Sequence, residues 1–439
     1  MKIAYIFRPP FDPQPDGALG IWNREITRRI ARNSDVIVYA PLSRGQKRFQ
    51  FIDGVHYRCI SLGFDHWLAR YLDALRRRSI ITFPLFGSSL YYAGFALQVA
   101  VDLRTQRCDV VHIHDLSQFV PIIRALNRRI RIVLHMHGEW LTQLARKTIE
   151  PRLKSADMIL ACSEYVANKI RASFPEHAHR CRTIYMGVDP EVFHPNPGLR
   201  PPRDSMHNRL LYVGRISPEK GVHVLLESFR KIAEIYPQTQ LDIVGPDWVQ
   251  PRDQHIDMSD DPRMTALKVF HTGNYRSLLE KQIPSHLRSK IKFHGLVPHS
   301  ELPRYYQNAD IYISPSFYES FGMSNLEAMA SDCPVIATRV GGVPEAVTHD
   351  KNGILIEPGT PDQLTSAILH LLSDQQLRNS LGQAAHRRAV DRFAWDRLCQ
   401  DLLRLYAHLY TQGCVDNSIL AGEEVSSSHE IVPGNTSSH

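Results

Sequence analysis

Short runs of β-branched and aromatic residues alternate with amphipathic stretches from the start of the chain. Residues 3–7, 36–40, 110–114, 130–135, 158–161 and 183–185 are predicted strands, and 21–31 is a predicted helix after a loop of Pro, Asp and Gly. Buried parallel strands read as near-continuous apolar runs, with helices as crossovers, so this half is predicted to hold a parallel sheet. A segment with Pro190, Pro195, Pro197, Pro201 and Pro202 follows and reads as a linker. The alternation then restarts, with predicted strands at 210–213, 241–244, 291–293, 311–314 and 335–338. Between them the polar stretch 246–272 reads as a surface insertion before a helix around 275–280. From 411 to 439 large apolar residues are few and Ser, Gly and Glu are frequent, which predicts a disordered tail.

A chain of 439 residues is too long for one compact core, which agrees with two α/β units. Hydrophobic residues at 43% and charged residues at 22% suit a soluble globular protein. The seven cysteines are scattered and odd in number, with no Cys-x-x-Cys pair, so neither a zinc site nor a disulfide framework is expected. Reduced thiols in a cytoplasmic protein are the expectation. The N-terminus lacks the long apolar region and cleavage site of a signal peptide and reads as a buried strand. Residues 79–101 carry no charge and follow Arg76-Arg77-Arg78, the look of a membrane span with a basic flank. Pro84, Gly87, Ser88, Ser89, Gly94 and Gln98 interrupt it and favour a buried or surface-seeking helix.

Charge is unevenly shared. Residues 1–200 hold 29 Lys+Arg against 17 Asp+Glu, a net +12, whereas the whole chain is only +7. A basic first half suits an anionic acceptor or peripheral contact with the cytoplasmic face of an anionic membrane; a solvated basic face fits the same count. No nucleic-acid motif accompanies the charge, so no nucleic-acid partner is expected.

Two Rossmann-like halves would form a cleft at their strand C-termini, where nucleotides bind. Yet no Gly-x-Gly-x-x-Gly follows the first strand, which weighs against a dinucleotide oxidoreductase. The strongest chemical signal runs from Phe317 to Ala330. There a strand ends, Gly322 permits a tight turn, and a helix begins whose free N–H groups and dipole suit a pyrophosphate. Glu327 projects from that helix where a ribose would sit, and Glu319 in the loop could grip sugar hydroxyls. A solvated acidic pair is the alternative reading of the two. The second signal is Gly214-Arg215-Ile216-Ser217-Pro218-Glu219-Lys220-Gly221, directly after a strand. Arg215 and Lys220 around such a turn can converge on a diphosphate and on the charge of a leaving group. An exposed basic turn would carry the same letters.

Together these motifs resemble the family 4 glycosyltransferases, a large retaining group. The resemblance covers the chain to about Tyr410. It rests on the Glu-x7-Glu element at Glu319 and Glu327, on Asp310, Ser314-Pro315-Ser316 and Gly341-Gly342-Val343-Pro344-Glu345, and on Phe393-Ala394-Trp395 before a final helix. It implies an α/β GT-B fold, two Rossmann-like domains facing a central cleft: 1–195 on the acceptor side and 205–390 on the donor side. A helix at about 393–410 would cross back to the N-terminal domain.

For individual residues it implies pyrophosphate binding by Arg215 and Lys220, ribose binding by Glu327 and sugar binding by Glu319. Backbone at Gly214, Phe321, Gly322, Met323 and Ser324 would line phosphates and sugar, and backbone near Val297 the base. His137 matches the family's cleft histidine, although a histidine at a strand end also packs or caps. Gly20 matches the glycine of the loop entering the first helix, where Ala18-Leu19-Gly20 departs from the usual Gly-Gly pair. His112 and His114 read as structural and Asp115 as an acceptor-side candidate. Met186 stands where the family commonly has Asn.

The resemblance implies retention. With no carboxylate placed as a covalent nucleophile, front-face transfer is expected, the leaving phosphate taking the acceptor proton. No Asp-x-Asp pair lies near the donor site, so transfer is expected to need neither metal nor cofactor beyond a nucleotide-diphosphate sugar. The acceptor, whether glycan, lipid or small molecule, is unconstrained. A phosphorylase or nucleotide-sugar epimerase of the same fold, and a non-catalytic nucleotide-sugar-binding scaffold, are the rival readings.

Overall fold

The computed structural model describes residues 1–9, 12, 17–77, 87–196, 208–249 and 256–420. Parts of the uncharged segment, the proline-rich linker, the insertion and the tail fall outside them. The first sheet holds β1 Lys2–Ile6, β2 Asp35–Pro41, β3 Phe49–Ile52, β4 Val55–Ile60, β5 Val110–His114, β6 Arg131–Met136, β7 Met158–Ala161 and β8 Cys181–Thr183. Its order is β3-β4-β2-β1-β5-β6-β7-β8, parallel except for the β3–β4 hairpin. The second holds β9 Arg209–Val213, β10 Gln240–Val244, β11 Ile291–Gly295, β12 Ile311–Ser314, β13 Val335–Thr338 and β14 Ile354–Ile356. Its order is β11-β10-β9-β12-β13-β14, parallel throughout. Strand order reverses between β9 and β12, the kind of crevice where ligands bind in open α/β sheets.

The predicted strands are present within a residue or two of their expected bounds. The strand expected at 183–185 lies earlier, at Cys181–Thr183. The β3–β4 hairpin and β14 were not anticipated. β4, one strand in from the sheet's edge, alternates buried and more open positions, so it lacks the continuous apolar run that marks β2 and β1.

The helix Trp395–Leu420 continues past 410, where a disordered tail was expected to begin. Leu398, Leu402, Tyr406 and Leu409 are buried on it at helical spacing, and this stripe docks on the N-terminal domain beside the helix Ala18–Ile30. The crossing is fixed where Val188 donates to the Phe393 carbonyl at 2.9 Å and Trp395 donates to that of Val188 at 3.1 Å. Met186 is buried here, and Gly187 lies flat on Trp395, whose ring a Cβ would meet at 2.4 Å. The position that the family commonly gives to Asn is thus spent on packing.

Among the described residues no helix is long and apolar enough to cross a membrane. The end of the uncharged segment enters the helix Ala93–Gln106, which buries Phe95, Val99 and Leu103 in the N-terminal core.

Candidate active site

The turn after β9 is tied directly to the loop after β12. Phe317 donates its N–H to the Glu219 carbonyl at 2.8 Å. Gly221 has φ +72°, and a Cβ there would lie 2.0 Å from the Pro315 carbonyl oxygen, so only glycine lets the two loops close on one another. Lys220 Nζ then meets Glu319 Oε2 at 2.6 Å. An ammonium has three donors, so this bond leaves two for phosphate oxygens.

Arg215 gives Nη2 to Glu219 at 3.0 Å, while its Nη1 is buried without a partner. Glu219 is buried and also accepts from the Ser217 hydroxyl at 2.6 Å. Burial alone would raise its carboxyl, but Arg215, Ser217 and Lys220 outweigh that and hold it below the usual range. Glu219 therefore stays ionised and orients the guanidinium. Gly214 continues β9 by donating to the Val244 carbonyl at 2.9 Å.

Gly322 is the N-cap of the helix Met323–Ala330, at φ 92° with no side-chain cap; Asn325 donates its N–H to the Gly322 carbonyl at 3.1 Å, and the Met323 and Ser324 N–H groups face the opening where an anion could sit. Beside this end lies a residue that the sequence reading passed over. Asn325 is fully buried, both of its amide atoms lack partners, and its Nδ2 would sit 2.4 Å from a Cβ on Gly322. Ser324 Oγ accepts from the Tyr312 hydroxyl at 2.8 Å. The Phe321 ring packs between Tyr185 of the N-terminal domain and Phe393, which leaves only its backbone to face the cleft.

Glu327 is buried and held at both oxygens, by His299 Nε2 at 2.8 Å and by the Tyr306 hydroxyl at 2.8 Å. A carboxylate offers about four lone-pair sites, so two remain. A cavity of about 210 Å³ opens here, walled by Glu327, Met323, Pro298 and His299 on one side and by Arg24, Glu25 and Phe193 on the other. Val297, next to Pro298 in the chain, is half-buried against the hydrophobic core and is not among the residues that line this cavity. His299 is another contributor without a sequence signal of its own.

Across the cleft, His137 opens the turn after β6. Its N–H donates to Asp115 Oδ1 at 2.7 Å, its Nε2 meets His114 Nδ1 at 2.9 Å, and its Nδ1 has no partner. Burial lowers His137 to about 3 and raises Asp115 to about 6, so the ring is neutral at physiological pH. Behind it, His112 bonds the Tyr406 hydroxyl at 2.6 Å and His135 at 3.1 Å. His112, His114 and His135 are the one group among the described residues with metal-ligand spacing. Both nitrogens of His112 are already spent on these bonds, which fits the structural reading of His112 and His114. Gly20 lies within the helix Ala18–Ile30, capped by Gly17, and not in the loop before it.

The insertion is less detached than its polar sequence suggests. Ile256, Met264 and Leu267 pack against Phe317 and Tyr318, beside the signature loop. With Glu139, Tyr165 and Lys169 of the N-terminal domain it bounds a further cleft of about 650 Å³.

Paired Rossmann-like domains, an open helix N-terminus, an arginine with a free nitrogen and two anchored carboxylates define a GT-B glycosyltransferase. Residues 19–192 match the family model described as Glycosyltransferase Family 4, and residues 200–388 that of Glycosyl transferases group 1. The chain belongs to this glycosyltransferase family and is a transferase. It is 27% identical over 423 residues to Spore coat protein SA of Bacillus subtilis, covering 92% of this chain and 99% of that one. Among solved structures, sucrose-phosphate synthase from Thermosynechococcus elongatus superposes with a TM-score of 0.71 at 22% identity, over 94% of this chain and 99% of that one. Anabaena HepE, in complex with UDP and glucose, superposes at 0.66 and 19% identity, over 93% and 99%.

Proposed function

We propose that this protein transfers a sugar from a nucleotide-diphosphate sugar to an acceptor hydroxyl with retention, by metal-independent front-face transfer. The observation that carries the reading is the Lys220–Glu319 contact, which joins the cationic turn to the Glu-x7-Glu loop at the mouth of a helix N-terminus. In this reading Arg215 Nη1, Lys220 and the N–H groups from Gly322 to Ser324 take the pyrophosphate. Tyr306 anchors Glu327 from below while its free lone pairs accept ribose hydroxyls, and the base lies near Val297 and His299. Glu319 and the neutral His137 hold the sugar from opposite domains. As the glycosidic bond breaks, negative charge grows on the leaving phosphate, where donors fixed in a water-poor cleft stabilise it most. That phosphate takes the acceptor proton on the face from which it departs. The complex of HepE with UDP and glucose supports a uridine donor. The basic first half makes an anionic acceptor or an anionic membrane the natural neighbour of the N-terminal domain.

A binding and hydrolysis screen across UDP-, GDP- and ADP-sugars tests this. One class is expected to bind and to release nucleoside diphosphate and a sugar with the donor's anomeric configuration. Inverted product, or no binding in any class, would overturn the reading.

A further inference from the structure

The helix Gly63–Arg77 carries its aromatic residues on the wrong face for a core. Phe64, Trp67 and Tyr71 are 59%, 56% and 54% exposed, at spacings of three and four residues, so they form one stripe. The rings support each other: Trp67 and Tyr71 stack at 6.1 Å with planes 7° apart, and Phe64 lies 5.9 Å from Trp67. The stripe is also locked outward. On the opposite face Asp65 and Leu72 are buried, and Asp65 accepts the Gly94 N–H at 2.8 Å at the start of the helix Ala93–Gln106. Rolling the aromatics inward would expose Leu72 and strip that helix of its capping carboxylate.

The apolar surface continues onto the second helix. A Cβ on Gly94 would meet Phe64 at 2.8 Å, and Leu97 and Val101, one and two turns further on, are 52% and 56% exposed. Singly exposed apolar residues are ordinary; a fixed row across two helices marks a partner. Arg70 is exposed between Trp67 and Tyr71, the helix ends at Arg76-Arg77, and residues 1–200 carry a net +12. A second copy would set the same cations against themselves. An anionic lipid surface complements both features, since Trp and Tyr settle at the headgroup boundary while arginines pair with phosphates.

We propose that Phe64, Trp67, Tyr71, Leu97 and Val101 form a docking face for an anionic bilayer. This rests on the reading of an anionic neighbour for the N-terminal domain and assigns it a surface. A cavity of about 160 Å³ lined by Arg8, Tyr91, Asp115 and Trp140 lies in the same domain, with Tyr91 three residues before Gly94.

The test is sedimentation of the full chain with vesicles of phosphatidylcholine alone or mixed with phosphatidylglycerol. Nucleotide-sugar hydrolysis is measured on the same samples without vesicles, so that loss of the transferase reading and loss of the docking face register separately. The expected result is binding to the mixed vesicles only, weakened by salt. It should fall about tenfold or more in the F64S/W67S/Y71S variant, while Trp67→Phe, which keeps an apolar ring, retains most of it. Hydrolysis should be unchanged in both variants. Equal binding by the triple variant, or no binding to the mixed vesicles by the parent, overturns the proposal. So does a parent dimer that the triple variant abolishes, since a second copy would then cover the face.

Discussion

Arg215 divides its guanidinium between two tasks, one nitrogen on Glu219 and one without a protein partner, and this changes what its removal should do. In the proposed reaction Lys220→Ala takes away a contact to the leaving group, and it leaves no deeply buried charge behind. Its turnover should fall about 30- to 1000-fold, equivalent to about 2–4 kcal/mol of transition-state stabilisation, with little change in Tm. Arg215→Ala should lose activity on the same scale and also destabilise the fold by about 1–3 kcal/mol, because the buried Glu219 loses its paired guanidinium and keeps only the Ser217 hydroxyl as a direct side-chain donor. Arg215→Ala combined with Glu219→Gln should recover stability and not activity. Steady-state kinetics beside thermal melts would separate the two roles. A single Arg215→Ala with activity within a few-fold of the parent would remove it from the phosphate site.

At the scale of elements, β5 ends in His112-Ile113-His114 and β6 runs through His135-Met136 into His137, and their pairing brings four imidazoles together under the cleft. Burial holds His112, His114 and His135 well below the ordinary value of 6.5, and His137 at about 3. Below pH 6.5 the unfolded chain therefore binds protons that the folded chain refuses, and stability falls as pH falls, by about 1.4 kcal/mol per unit for each fully buried ring. Asp115, at about 6 folded against 3.8 unfolded, works in the opposite sense between those values, one carboxyl against three fully buried rings. Melting temperature should drop steeply from about pH 6.5 to about pH 5. A flat profile would contradict the buried, neutral cluster.

A second element-scale device joins the domains. The Glu345 carboxylate accepts the N–H groups of Glu164 and Tyr165, each at 2.8 Å, and so caps the helix Glu164–Ser173 from the opposite domain. Ser163 caps the next N–H of that helix itself, at 3.2 Å from Val166. Removing the carboxylate should cost about 1 kcal/mol, all of it from the closed arrangement. Glu345→Ala should raise KM for the donor and enlarge the radius of gyration in X-ray scattering. If neither moves, the contact does not hold the domains together.

For the whole molecule, charge compensation by Arg215 and Lys220 predicts that donor turnover survives EDTA. Activity lost on chelation and restored by magnesium or manganese would reassign that role to a cation.

The two restarting patterns of apolar strands were enough to set two parallel sheets, because a strand buried on both faces must be apolar along its own length. The cationic turn after β9, the Gly322 helix start and the two glutamates were legible as motifs for a similar reason: each depends on residue types at short fixed spacings. One local signal was available and unused. Asp53-Gly54 between β3 and β4 is a two-residue hairpin turn, with φ of 51° and 79°, that those letters favour. Other features left no local trace. Lys220 and Glu319 are far apart in the chain, Tyr406 reaches His112 from the returning helix, and Glu345 caps a helix of the other domain. His299 and Asn325 gain meaning only from the cavity and turn beside them. Periodicity records which face of an element is buried, but not against what. That choice follows from the docking of whole elements, so the pairing of Glu319, the neutrality of His137 and the outward lock on Trp67 were decided by the tertiary structure alone.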